Sequence, residues 1–117
     1  MEFHTRAGDA LCYLEDGGNL YLWNGKPAGY LVDDKVYSFS GCQLGWFENG
    51  WLYDRSNRPA LYSARASGGP VKPVRKIKPV KSVRQVRPVK SVRQVGLVRP
   101  ARSLSWSPVS DVAYFAQ

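Results

Sequence analysis

The chain has 117 residues and a formal net charge of +8, which is enough length for one domain. No apolar run approaches about twenty residues, which excludes a transmembrane helix. Residues 1–4 lack a basic leader followed by an apolar stretch, so we expect no secretory signal and a cytoplasmic protein. The charge is uneven, with five basic and eight acidic side chains in residues 1–63 but twelve basic and one acidic in residues 64–117.

The first ten residues are polar and are interpreted as a mobile beginning of the chain. They are followed by Ala10-Leu11-Cys12-Tyr13-Leu14-Glu15-Asp16-Gly17, which is similar to the second half of a repeat further along the chain, displaced by one residue. We interpret this segment as the closing strand of an incomplete fourth unit.

Residues 20–63 consist of one sixteen-residue unit written three times. Each unit has a short apolar run, a polar turn and a second short run, and the first runs begin at Leu20, Val36 and Leu52. Four-residue runs rich in Tyr, Trp, Val and Leu favour strands over helices. Asn, Asp, Ser and Gly in the turns tolerate the left-handed backbone that tight turns require. The sequence therefore predicts an all-β meander of very short strands.

The spacing also suggests a strand register. A four-residue turn at 24–27 would place Tyr21 opposite Tyr30, and the same register in the next units gives the pairs Tyr37–Trp46 and Tyr53–Tyr62. The aromatic side chains are interpreted mainly as core, although aromatic rows on a sheet can also bind sugars or bases. On the other face, Gly29 and Gly45 would leave room for another element or chain to approach.

Residues 64–104 form a basic arm that starts with a linker rich in small residues, Ser-Ala-Arg-Ala-Ser-Gly-Gly-Pro from Ser63 to Pro70. From Val71 to Val98, a valine or isoleucine occupies every third position, and residues 79–86 and 88–95 are identical octapeptides. A polyproline-like chain has three residues per turn and would place these side chains on one edge, spanning on the order of 80 Å. The alternative is a disordered basic linker whose period is a relic of repeat expansion.

The last segment, residues 105–117, carries three aromatic side chains after the polar arm: Trp106, Tyr114 and Phe115. We expect Val112–Phe115 or the region of Trp106 to dock back on the sheet. The predicted organisation is a β repeat domain at 1–63, an arm at 64–104 and a completing segment at 105–117.

The hairpins of residues 21–50 and the tail Trp106-Ser107-Pro108-Val109-Ser110 resemble the bacterial four-fold beta-flower domain family. Similar Tyr/Trp-Gly hairpins occur in WG and MORN repeats, but those repeats are longer than sixteen residues. The resemblance implies a small all-β domain with four-fold arrangement of its sheet elements. It assigns no activity and no role to any residue.

No pattern in the sequence indicates catalysis, a cofactor or a metal site, so we expect a protein that is not an enzyme. His4 is the single histidine and has no partner nearby in sequence. The pairs Glu15-Asp16 and Asp33-Asp34 lie at strand ends, which favours turn residues. We expect Cys12 and Cys42 to be free thiols in a reducing compartment.

Two functional hypotheses follow. The first is a structural or interaction module that self-associates, with a tetramer as the first expectation, because very short strands bury little surface by themselves. The second is sequence-independent binding of nucleic acid or another polyanion through the arm, since residues 65–102 carry twelve basic side chains and no acidic one. The candidate polyanion-binding residues are Lys72, Arg75, Lys76, Lys78, Lys81, Arg84, Arg87, Lys90 and Arg93.

Overall fold

The computed structural model describes all 117 residues as an eight-stranded, closed antiparallel barrel. Each strand pairs with the next along the chain, and the first pairs with the last. One 3-10 helix, Val112–Ala116, follows near the end of the chain. This architecture confirms the all-β prediction. The strands are β1 Glu2–His4, β2 Ala10–Leu14, β3 Asn19–Leu22, β4 Pro27–Val32, β5 Lys35–Tyr37, β6 Gln43–Glu48, β7 Trp51–Tyr53 and β8 Pro59–Ser63.

No helix in the structure has the length and apolar character needed to cross a membrane.

The barrel contains four complete hairpin units, β1–β2, β3–β4, β5–β6 and β7–β8. Each unit has a register shift at the same place, between Phe3 and His4 in the first unit and between Leu20 and Tyr21 in the second, and likewise in the third and fourth. The expectation of an incomplete fourth unit was therefore wrong. The first ten residues supply its missing strand, because β1 pairs with both β2 and β8 and so closes the barrel.

Four equivalent five-residue loops join the strands within the units, at 5–9, 22–26, 38–42 and 54–58, and we call them the arm-side loops. In each loop the first amide donates to the carbonyl of the fifth residue at 2.9 Å. A second bond closes a tighter turn, for example from Gly41 N to Ser38 O at 3.0 Å. The fourth residue has positive φ in all four loops, and this residue is Gly8, Gly25, Gly41 or Asn57.

The predicted register was wrong. Within a unit, Tyr21 lies opposite Pro27 rather than Tyr30, because the arm-side loop and the neighbouring bulge displace the pairing. The aromatic pairs form instead between neighbouring units, at β2–β3, β4–β5 and β6–β7 and at the seam between β8 and β1. Tyr30 faces Tyr37, and the other pairs of this type are Tyr13–Tyr21, Trp46–Tyr53 and Tyr62–His4.

Alternation along the strands separates an aliphatic interior from an aromatic outer wall. The interior cluster includes Phe3, Cys12, Leu20, Val36, Leu44, Leu52 and Leu61. A Cβ at Gly29 would lie 2.6 Å from the carbonyl oxygen of Tyr37, and one at Gly45 would lie 1.8 Å from that of Tyr53. The space beside these two glycines is thus filled by the chain's own backbone, which removes them as support for contact with a second chain.

The C-terminal segment contacts the barrel interior and the outer wall. Tyr114 is fully buried in the interior cluster, and its hydroxyl donates to Tyr53 O at 2.9 Å. Burial raises the pKa of Tyr114 well above its ordinary value, so this hydroxyl remains a donor. On the outside, the rings of Trp106 and Trp51 lie 5.5 Å apart in an edge-to-face arrangement.

Both cysteines are unpaired, with Cys12 buried and Cys42 half-buried.

Replacing Tyr114 with Phe tests whether the C-terminal segment is part of the fold. We expect the free energy of unfolding to fall by about 1 kcal/mol, because the buried carbonyl of Tyr53 loses its donor while the ring is retained. Denaturant unfolding measures the change. The control is Val112→Thr, since Val112 is 56% exposed and its replacement should shift stability by less than about 0.5 kcal/mol. Equal effects of the two substitutions would contradict a docked segment.

Candidate polyanion interface: the arm around the barrel

The arm runs around the outside of the barrel and contacts each arm-side loop in turn. Lys76 N donates to Gly8 O, Gln85 N to Gly25 O and Gln94 N to Gly41 O, each at 2.9 Å. Ser103 N completes the series at Asn57 O, at 3.2 Å. The four donors are nine residues apart, while the four acceptors are sixteen or seventeen residues apart. Nine residues of arm therefore correspond to one unit of barrel.

Nine is a multiple of three, which explains how the arm keeps the same face toward every unit. An extended chain with three residues per turn returns to its starting orientation after nine residues and advances by about 28 Å. Four such advances are close to the perimeter of a molecule that measures 37 by 36 Å in its two longer directions. The displacement between the two identical octapeptides is also nine residues. The two repeat lengths of the chain are thus matched to one another in space.

The loop glycines allow the arm to lie directly on the loop backbone. Gly41 has φ of 96°, and a Cβ there would lie 2.1 Å from the carbonyl oxygen of Val92. Gly25 is equivalent, with a Cβ 2.0 Å from the carbonyl oxygen of Val83. A side chain at either position would push the arm off the barrel.

Every third arm residue points away from the barrel. These ten side chains form a continuous apolar line around the molecule, which we call the valine ridge, and each is at least 90% exposed. The ridge consists of Val71, Val74, Ile77, Val80, Val83, Val86, Val89, Val92, Val95 and Val98.

The residue after each ridge position is basic in all but one case, and several of these side chains cover the aromatic wall. Lys81 Nζ lies 4.3 Å from the centre of the Tyr13 ring, and Lys90 Nζ lies 4.2 Å from that of Tyr30. Guanidinium groups cover the tyrosines of β3, β5 and β7 in the same way, as Arg93 does at 5.8 Å from Tyr37. Cation–π contacts of this kind stabilise the arm on the wall and leave the ammonium or guanidinium partly in water.

Carboxylates near the barrel ends pair with part of the basic row. Glu2 pairs with Lys78 at 2.6 Å and Lys81 at 2.8 Å, and these two ammonium groups lower its pKa to about 2. Lys76 lies 3.1 Å from Asp9 and Arg84 lies 3.9 Å from Glu15. Glu48 receives both Arg99 and Arg102. Only four carboxylates therefore serve the twelve basic residues of the arm.

Of the nine candidate residues, four pair with a carboxylate, namely Lys76, Lys78, Lys81 and Arg84. The other five lie outside ion-pair distance of any carboxylate: Lys72, Arg75, Arg87, Lys90 and Arg93. Lys72 donates to Ala66 O at 2.7 Å, and Arg87 donates to the hydroxyl of Tyr21 at 3.0 Å. Eight of the nine share the row beside the valine ridge, whereas Lys76 belongs to the row that contacts the loops.

Arg99 and Arg102 also belong to the basic row, although they are not among the nine candidate residues. Both continue the three-residue period, directly after Val98 and Ala101, so extending the period by two steps would have found them. Arg99 lies 5.4 Å from the ring centres of both Trp46 and Tyr53.

Groups considered for catalysis occupy structural positions. His4 does not lie in a mobile segment, because it belongs to β1 and is only 2% exposed. Asp33 forms a turn with φ of 55°. Ser107 donates to the buried carboxylate of Asp54, which also accepts from the amides of Ser56 and Arg58. No three His, Cys, Asp or Glu side chains converge as a metal site would require.

Four barrel units, four arm-side loops and an arm that contacts each of them give the molecule an approximate four-fold arrangement. The family model of the 4-fold beta flower protein matches residues 1–115 of the chain. The chain belongs to this family. Neither the curated proteins nor the solved structures contain a significant match. For this beta-flower domain, family membership accounts for the barrel, the arm and most of the C-terminal segment as one unit.

Replacing Gly41 with Ala tests the seating of the arm on the loops. Both Gly41→Ala and the control Gly68→Ala place a side chain at positive φ, but a Cβ at Gly68 meets nothing within 4 Å. We expect Gly41→Ala to lower the free energy of unfolding by a further ~1–3 kcal/mol relative to the control, because the arm carbonyl must move.

The same pair of variants should differ in trypsin cleavage within the arm, which carries many lysines and arginines. The Gly41→Ala arm should be cut faster at native conditions, because its nearest attachment is lost. Identical stability and cleavage rates for the two variants would show that the arm is not held at this loop.

Proposed function

We propose that this beta-flower domain is a non-enzymatic interaction module that self-associates through the valine ridge. The observation that supports this most directly is the exposure of the ridge, since ten β-branched side chains in a continuous line are each at least 90% exposed. Contiguous apolar surface of this extent marks interaction sites more often than it serves as plain surface. We place the domain in the cytoplasm, a location that the unpaired Cys12 and Cys42 support.

The estimated free energies of burial and association favour a closed assembly over a dimer. Burial of one valine side chain contributes about 1.5–3 kcal/mol, and one barrel unit presents three ridge residues. Association costs an estimated 4–15 kcal/mol in lost translational and rotational freedom. The burial free energy from one unit is therefore close to the cost of association. Copies that each bury the ridge of two units gain more free energy than association costs. The four equivalent units suit a closed tetramer of this kind.

Light scattering across a concentration series tests self-association. We expect a multiple of 13.1 kDa, with a tetramer at high micromolar concentration. Changing Val83, Val86, Val89 and Val92 to Thr should shift the population toward monomer, because Thr keeps the shape of Val but has a polar hydroxyl in place of one methyl group. The fold should be unaffected, since the substituted side chains point away from the barrel and are exposed.

The matched control for the ridge variant is Lys90→Gln with Arg93→Gln, which removes charge from the same part of the arm and keeps the ridge. It should associate like the unmodified chain. A monomer at high micromolar concentration, or equal masses for the ridge variant and the unmodified chain, would rule out assembly through the ridge.

A second candidate function is sequence-independent binding of nucleic acid or another polyanion by the basic row. It is favoured by the five candidate residues that have no carboxylate partner, because their charge is not neutralised within the chain. Phosphates bound by such residues release counterions, so affinity must fall steeply with salt. The basic row runs beside the valine ridge around the outside of the molecule. The phosphates of a long nucleic acid could therefore reach these side chains.

Two double variants distinguish polyanion binding from a basic row that only keeps the protein soluble. Lys90→Gln with Arg93→Gln removes cations that have no carboxylate partner, while Lys81→Gln with Arg84→Gln removes equivalent cations that pair with Glu2 and Glu15. All four side chains cover aromatic rings. The log–log salt slope for binding a single-stranded oligonucleotide should fall by about 1.4 in the first variant, and by less in the second. Absence of binding at low salt, or a slope near zero, would reject the candidate.

A further inference from the structure

The surface near the seam where β1 meets β8 carries a group of depressions. Three separate depressions adjoin there, and all three include Arg75 in their lining. The largest has a volume of about 350 Å³ and is lined by His4, Val74, Arg75, Lys76, Ile77 and Lys78. Three cations within four consecutive arm residues therefore face one concavity.

This corner departs from the four-fold pattern of the molecule. The position of His4 in its unit is held by Tyr21, Tyr37 and Tyr53 in the other three. The arm residue that corresponds to Arg75 lies over those tyrosine rings, as Arg84 does at 5.5 Å from Tyr21. An imidazole is shorter than a phenol, so the first unit has space between wall and arm that the others fill.

The arm also changes at this corner. Lys76 occupies the place of Gln85, Gln94 and Ser103 in the later nine-residue segments, and Lys78 occupies the place of Arg87, Gly96 and Ser105. The nine-residue segments begin at Val74, Val83, Val92 and Ala101. The first segment is the only one of the four with cations at its second, third and fifth positions. Histidine in place of tyrosine therefore coincides with added positive charge.

His4 is a buried polar group without a hydrogen-bond partner. Its side chain is nearly inaccessible, and neither Nδ1 nor Nε2 is bonded within the protein. The ring stacks against Tyr62, with centroids 5.6 Å apart. Burial lowers the pKa of His4, and the charges of Arg75 and Lys78 lower it further, whereas Glu2 and the backbone of Tyr62 raise it. The imidazole is consequently neutral at pH 7, and His4 is one of the residues that line the concavity.

We propose that this corner is a binding site for a phosphate group, either inorganic phosphate or the phosphate of an ester. Arg75 has no carboxylate within ion-pair distance, and its guanidinium can bind two phosphate oxygens at once. Lys76 and Lys78 add two ammonium groups. His4 also lines the site, and a small shift of the arm would bring a phosphate oxygen within hydrogen-bonding distance of its ring N–H.

The existing ion pairs do not prevent such binding. Lys76 pairs with Asp9, and both side chains are more than half exposed. Lys78 is half exposed and shares Glu2 with Lys81. A solvent-exposed pair such as Lys76–Asp9 contributes little to stability, so a doubly charged anion competes effectively for the Lys76 ammonium group. Glu2 retains Lys81 when Lys78 turns to the anion.

The single histidine of the chain supplies the test. Inorganic phosphate is titrated into the full-length protein while the imidazole signals of His4 are followed by nuclear magnetic resonance. We expect a saturable change, and a pKa of His4 that rises when phosphate is bound, because the anion favours the protonated ring. Chloride at equal ionic strength should not produce saturation.

Symmetry provides matched controls. Arg75→Gln should weaken phosphate binding by about tenfold or more, since it removes charge-assisted hydrogen bonds. Arg84→Gln, the same change at the equivalent position of the next unit, should leave it within about twofold. His4→Tyr, which restores the pattern of the other units, should also weaken binding when measured by phosphorus resonance.

Two further ligands distinguish the possible sources of the phosphate. A mononucleotide that binds like inorganic phosphate identifies a terminal phosphate as the ligand. An oligonucleotide that binds only as a long chain, with no saturable effect of inorganic phosphate, overturns the site but leaves the polyanion candidate of the basic row intact. Equal losses in Arg75→Gln and Arg84→Gln, or His4 signals insensitive to phosphate, would also overturn it.

Discussion

Pairing of β1 with β8 is the constraint on which the rest of the molecule depends. Strands of three to six residues expose backbone donors and acceptors along any open edge, and closure into a barrel satisfies them. Closure also collects the four arm-side loops at one end. The C-terminal segment then covers the interior at that end, because Tyr114 finds its acceptor at the carbonyl of Tyr53.

The arm is seated by a match between two periods. Loops that recur every sixteen or seventeen residues are spaced around the barrel at the distance that nine extended residues cover. The three-residue period then assigns constant roles: an outward apolar residue, a basic residue over an aromatic ring, and a backbone amide on a loop carbonyl. Charge and apolar surface thereby lie in two parallel lines around the molecule, and this arrangement supports both candidate functions.

Departures from the four-fold pattern carry the most specific functional information. Three units repeat tyrosine beneath arginine, and such repetition is adequate for holding the arm. The first unit substitutes histidine and adds two lysines, which leaves a concavity and an unsatisfied imidazole at the seam. The repeated tyrosine–arginine contacts explain how the arm is held on the barrel. The different first unit provides the kind of single site that a small ligand would require.

The sequence by itself determined the all-β class, the sixteen-residue unit and the family, because turn residues and strand propensities are local properties. The three-residue period of the arm was likewise visible, as were the nine basic candidates. The register, the strand at Glu2–His4 and the surroundings of His4 were decided only in the tertiary structure. A bulge displaces pairing by an amount that composition does not encode, and a three-residue strand is stable only when β2 and β8 lie on both sides of it. Which cations keep their charge free depends on where four carboxylates lie in space, and only closure of the barrel decides that.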